Sequence, residues 1–184
     1  MVRVLRICLS GLVALSVSTV AMSPALARPW KPTGKALAQD YLMINDTRPG
    51  NEIVLLWWIA PPLLDENARV AAQLLDQYFL LGVVHGRVDA GGAIRFDTVE
   101  PPKVAGSDGK PMKLVANDAM PPTVAGIMSA LQTSLGQAIG AMGKGIQWTT
   151  FSGQAQACGK GTVSVSYAGE TYTYDTPIPG CPKE

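Results

Sequence analysis

The sequence predicts an α+β domain in which a mostly antiparallel sheet of about six to seven strands packs against two helices and is held by one disulfide. Three observations carry this expectation. Paired segments alternate polar and apolar residues around short glycine-bearing turns, two other segments repeat apolar residues at helical spacing, and only two cysteines lie beyond an export leader.

Composition narrows the function classes first. Of 184 residues, 47% are apolar and 16% charged, with 15 Lys+Arg against 14 Asp+Glu. That balance excludes an acidic or basic disordered tail, a collagen repeat and a coiled coil. No Lys/Arg run is present to neutralise a row of phosphates, so no nucleic-acid partner is expected.

The first 27 residues read as a cleaved Sec signal peptide. Arg3 and Arg6 form a positive start, Ile7 to Val20 is apolar, and Ala25-Leu26-Ala27 is a small-x-small cleavage site. An uncleaved anchor is the competing reading, but the run is shorter than the roughly 20 residues that span a bilayer. Cys8 sits at the start of the apolar region without a preceding small-residue box, so the chain is not expected to be a lipoprotein. Without the leader, 13 Lys/Arg face 14 Asp/Glu, and residues 28–184 form a single α+β domain with an extended N-terminal arm. One His and two Cys then remain, too few for a four-ligand His/Cys metal cage, and no cofactor is implied. Location is expected to be periplasmic or secreted, with no membrane span after cleavage.

Along the rest of the chain, Arg28 to Gly34 is the arm and a short helix is placed around Lys35 to Asp40. Tyr41 to Asn45 and Glu52 to Ile59 flank Arg48-Pro-Gly-Asn51, where Pro before Gly suits a type II turn. The second of these strands is continuously apolar and so should be central, covered on both faces. Asp65 is placed as the N-cap of a helix carrying Ala68, Val70, Ala71, Leu74, Leu75, Tyr78 and Phe79 and ending near Gly82. Val83 to Asp89 and Ala93 to Thr98 form a hairpin around Ala90-Gly91-Gly92. Its register sets Val88 against Ile94, Gly86 against Phe96, Arg87 against Arg95 and His85 against Asp97.

Val99 to Pro122 holds five Pro, two Gly and the turn Ser107-Asp-Gly-Lys110, a long irregular connection with at most a short strand at Met112 to Val115. Thr123 to Ala141 is the second helix, with Val124, Ile127, Met128, Leu131, Leu135, Ala138, Ile139 and Met142 on one stripe. No charge occurs between Asp118 and Lys144. A solvated helix face normally carries Lys and Glu, so this one is expected to be covered by the long loop, by the arm, or by a protein partner or second copy. Ile146 to Phe151 is the next strand.

The last hairpin joins Thr162-Val-Ser-Val-Ser-Tyr167 to Glu170-Thr-Tyr-Thr-Tyr-Asp175 through Ala168-Gly169. A two-residue loop sets Tyr167 against Glu170, Val165 against Tyr172 and Val163 against Tyr174, giving one apolar face. The other face carries Ser164, Ser166, Thr171 and Thr173, a candidate surface for a sugar. Cys158 and Cys181 lie beyond the open end, and in an oxidising compartment they should form a disulfide.

No complete catalytic constellation emerges. Gly140-Ala-Met-Gly-Lys-Gly145 closes a helix instead of opening one, which a phosphate loop requires. The only His invites a His85/Asp97 dyad, a carboxylate orienting an imidazole, with Arg87 and Arg95 binding an anionic substrate. Cross-strand rungs of opposite charge are also ordinary sheet stabilisation. The favoured expectation is therefore an exported binding or interaction domain, and the alternative is a small hydrolase or lyase. N-terminal sequencing of the exported chain should begin at Arg28; a start upstream of Ala27 would contradict the leader.

Overall fold

The structure is a computed structural model that describes residues 28–29, 42–64, 69–138 and 140–182. The leader, the helix expected at Lys35 to Asp40, most of the arm and the Asp65 cap lie outside the described residues.

Among the described residues ten strands occur in chain order: β1 (Arg28–Pro29), β2 (Leu42–Arg48), β3 (Glu52–Ile59), β4 (Tyr78–Val88), β5 (Ile94–Phe96), β6 (Lys103–Ala105), β7 (Lys113–Leu114), β8 (Gln147–Ser152), β9 (Gly161–Tyr167) and β10 (Glu170–Thr176). The helices are α1 (Arg69–Leu75), α2 (Pro122–Ala138) and α3 (Gly140–Lys144). The α+β class holds, and the strands divide into two sheets. One is six-stranded, ordered β2-β3-β4-β8-β7 with β5 also on β4; the other is four-stranded, ordered β1-β10-β9-β6. Among the described residues the strand pairs are antiparallel except β1 with β10.

The division follows from where apolar side chains lie. Strand β3 is buried from Val54 through its end, and β4 is buried from Phe79 to Val84. Alternation sends Val54, Leu56, Trp58, Phe79 and Leu81 to one face and Leu55, Trp57, Ile59, Leu80 and Val84 to the other. Both faces need an apolar cover. The first meets the four-stranded sheet, where Val163, Val165, Tyr172 and Tyr174 point inward and Trp58 meets Tyr174 edge-on at 5.3 Å. The second meets the helices, where Val124 is buried and Thr150 on β8 donates to the Met128 sulfur.

Two hairpin registers match expectation rung for rung, Tyr167↔Glu170 through Val163↔Tyr174 and Gly86↔Phe96 through Val88↔Ile94. Ala168 and Gly169 both adopt positive φ, 49° and 79°, as a two-residue turn of this hand requires.

Three expectations are corrected. The first helix stops at Leu75, and Tyr78 to Gly82 belong to β4, because a central strand paired on both sides buries Phe79 to Gly82. The second helix ends at Ala138; Gly140 takes φ 58°, a left-handed residue that breaks the helix before α3. Within the long connection, Lys103–Ala105 is a strand that pairs with β9, and the strand expected at Met112 to Val115 is Lys113–Leu114.

Cys158 and Cys181 are bonded, with Cα atoms 5.4 Å apart and the β9–β10 hairpin between them. Closing a 23-residue separation limits the unfolded chain. By the loop-entropy relation this contributes about 3 kcal/mol. The Cys158→Ser, Cys181→Ser double variant should lose about that much in denaturant unfolding; a loss below about 0.5 kcal/mol would show that the hairpin needs no staple.

Candidate functional site

Polar side chains collect where β3 and β4 run out of apolar residues, at the rim between the two sheets. The β2–β3 turn places Gly50 and Asn51 at positive φ, 77° and 57°, and sets Arg48 opposite Glu52. The β9–β10 turn projects the Ala168 carbonyl toward the same point. Arg48 Nη2 donates to that carbonyl at 2.9 Å, Nη1 lies 3.1 Å from Glu170 Oε1, and Nε lies 2.5 Å from Glu52 Oε2. The other Glu52 oxygen is 2.6 Å from His85 Nε2, and His85 Nδ1 is 2.9 Å from the Tyr167 hydroxyl. An unbroken chain, Glu170, Arg48, Glu52, His85, Tyr167, thus links the sheets. Its charged members are 13–26% exposed, so each depends on its partners more than on water.

The protonation pattern follows from the partners. Hydrogen bonds from Arg48 and His85 hold the Glu52 carboxyl below the ordinary carboxylate range, so it accepts and Nε2 carries a hydrogen. A neutral imidazole then offers a lone pair at Nδ1, and Tyr167 must donate to it. Burial, assisted by the negative charges of Glu100, Asp97 and Glu52, pushes the Tyr167 phenol up to about 12. Tyr167 is therefore a neutral phenol at physiological pH and not a phenolate base.

A cleft of about 480 Å³ opens beside this chain. His85 and Tyr167 form one wall, and Arg87, Lys103, Asp97 and Glu100 bring both signs of charge to the others. A second hollow of about 300 Å³ near the disulfide is walled by Trp58, Pro61, Pro62, Tyr78 and Ala157, with Asp76 its one charged group. Convergent polar groups favour the first as a recognition site.

The expected dyad is corrected in one respect. The rung exists, since Asp97 N–H donates to the His85 carbonyl at 2.8 Å, but the carboxylate on the imidazole is that of Glu52. Asp97 Oδ2 instead faces Arg87 Nη2 at 3.5 Å, an ion-pair distance without a hydrogen bond. The two residues share a rung while their side chains diverge because Glu52, diagonal to His85 on β3, is nearer the ring. Arg87 and Arg95 are opposed as expected, yet only Arg87 lines the cleft. Ser164, Ser166, Thr171 and Thr173 share one sheet face, with Ser166 and Thr171 hydroxyls 3.3 Å apart; Ser166 alone reaches the cleft.

Arg48, Glu52, Glu100, Lys103, Tyr167 and Glu170 were not among the expected site residues. Their only sequence signal was position, charges and a phenol at strand ends, where a sheet surface meets solvent.

On α2, Thr123, Ala125, Gly126, Ser129 and Ala130 are exposed, and a methyl group at Gly126 would meet nothing within 4 Å. Neither the long connection nor the two described residues of the arm covers that face; Gln132 turns inward, accepting from Trp148 Nε1 at 2.9 Å. Among the described residues no helix is long and apolar enough to cross a membrane, and no group of three or more His, Cys, Asp or Glu could hold a metal ion. Comparisons with protein-family models, curated proteins and solved structures find no match to the chain.

Because the folded value of Glu52 lies below 4.5, its contribution to stability is present above about that pH and is lost as pH falls through the lowered value. Glu52→Gln should cost about 1–3 kcal/mol at pH 7, leaving Arg48 and His85 short of an acceptor, and the cost should shrink as the acid limb is descended. Equal penalties at pH 7 and pH 3 in urea titrations would refute the linkage.

Proposed function

We propose that the chain is an exported, non-catalytic binding domain whose recognition site is the cleft between the two sheets, and that its ligand is a small molecule carrying both a positive and a negative group. The observation that carries this reading is the charge arrangement of the walls. Arg87 and Lys103 suit a carboxylate and Asp97 and Glu100 suit an amine, around a volume within the roughly 300–1,000 Å³ range of small-molecule sites. The backbones of Arg87 and Lys103 are fixed in hydrogen-bonded strands, so binding has to order only side chains. Both nitrogens of the imidazole are engaged within the protein, which favours recognition over general-base catalysis. The leader expected before Arg28 and the Cys158–Cys181 bond support an oxidising compartment.

A second reading is favoured by the uncharged, uncovered face of α2: association with a partner or a second copy. Amide chemical-shift mapping separates the two. Glycylglycine should perturb Arg87, Lys103, Tyr167 and Gly169, with acetate and methylammonium each giving weaker effects. The Arg87→Ala, Lys103→Ala double variant should weaken glycylglycine at least about tenfold, near 1.4 kcal/mol. Absence of any cleft response, with concentration-dependent shifts along α2, would replace the cleft reading with the association reading.

A further inference from the structure

Resting on the cleft reading, we infer that the site binds the carboxylate end of its ligand against the Tyr167 hydroxyl with uptake of one proton at His85. The argument concerns a single hydroxyl hydrogen. Tyr167 has one O–H, and with a neutral imidazole that hydrogen is committed to Nδ1, because Nε2 already donates to the Glu52 carboxylate. The phenol oxygen of this cleft-lining residue then has only lone pairs to offer, a poor neighbour for an anion. When Nδ1 takes a proton from solvent, its new N–H donates to the phenol oxygen. The Tyr167 hydrogen is released from Nδ1 and is free to point into the cleft. Protonation therefore converts the cleft wall from acceptor to donor and adds one positive charge, without moving a heavy atom.

Charged groups surround the ring from several elements. Glu52 on β3 faces the ring directly and supports the imidazolium, while Arg48 on β2, already shared between Glu52 and Glu170, opposes it. Arg87 on the same strand also opposes it, and Asp97 answers Arg87. Glu100 and Lys103 border the cleft with opposite signs. A carboxylate arriving at Tyr167 stabilises the protonated form, and by linkage the protonated form binds it more tightly.

The test uses the purified exported chain in two stages. Without ligand, the ¹³Cζ shift of Tyr167 should follow the ¹⁵N titration of His85 with the same midpoint; a Tyr167 signal flat through that titration would overturn the inference. Glycylglycine affinity should then fall about tenfold per pH unit above the His85 midpoint, and methylammonium, which lacks the carboxylate, should show no such loss. Tyr167→Phe, which keeps the ring packing, should show a shallower pH dependence, because only the added imidazolium charge remains to favour the carboxylate. Glycylglycine binding by the unaltered chain with no pH dependence would overturn proton uptake and leave the cleft reading intact. Failure of glycylglycine to bind at any pH would overturn both.

Discussion

Strands β3 and β4 pair from Glu52↔Arg87 to Ile59↔Leu80, and over most of that length neither strand has a polar face. Two adjacent strands of this kind cannot sit at a surface. Each large side chain left in water would forfeit roughly 1.5–3 kcal/mol, so both faces must be covered. The helices cover one face and the four-stranded sheet the other; the three-layer arrangement is the least that buries Trp58, Phe79 and Leu81 together with Leu55, Leu80 and Val84. Glycine serves the same end at one crowded point. A side chain at Gly82 would meet the Trp148 ring at 2.9 Å, so β4 must be bare there for the tryptophan to lie across it.

The candidate site is the boundary condition of that burial. Where the apolar run of β3 gives way to Glu52 and that of β4 to His85, polar groups are pinched between two sheets and must find partners or water. Five side chains from both sheets close this requirement in one linear chain. Its ends, at Glu170 and Tyr167, flank the Ala168–Gly169 turn, so a single tight hairpin positions both. The cleft lies just outside, between β4 of the first sheet and the Lys103, Ser166 and Tyr167 edge of the second.

What the sequence made legible was local. Period-two alternation and turn chemistry sufficed for both glycine hairpins down to their rungs, because a slip of one residue would have turned Val163, Val165, Tyr172 and Tyr174 to solvent. The disulfide followed from compartment and from the open end of that hairpin. Less was legible where one stretch satisfied two patterns. Tyr78 and Phe79 extend the helical stripe of α1 and also begin a buried strand, and only pairing with β3 and β8 decides between them. Strand β6 spans three residues with one buried side chain, Val104, too short for alternation to register. The division into two sheets, and the choice of Glu52 over Asp97 as partner of His85, depend on contacts between residues more than 30 apart. No spacing rule reaches that far.

The two ends of the four-stranded sheet are secured by different chemistry, and the difference bears on where function can reside. At the open end of the β9–β10 hairpin the bond is covalent, and the backbone at Gly180 packs so closely on the Pro62 carbonyl that a side chain there would come within 2.4 Å of the oxygen. That end admits little adjustment. At the turn end the attachment is ionic and hydrogen-bonded, through Arg48 to Glu170 and Ala168 and through His85 to Tyr167. Such contacts respond to protons and to a neighbouring charge, while a disulfide and a close-packed backbone do not. In the middle Trp58 packs edge-on against Tyr174. The turn end is therefore the end at which a nearby charge can redirect an existing hydrogen bond instead of breaking a covalent or close-packed one.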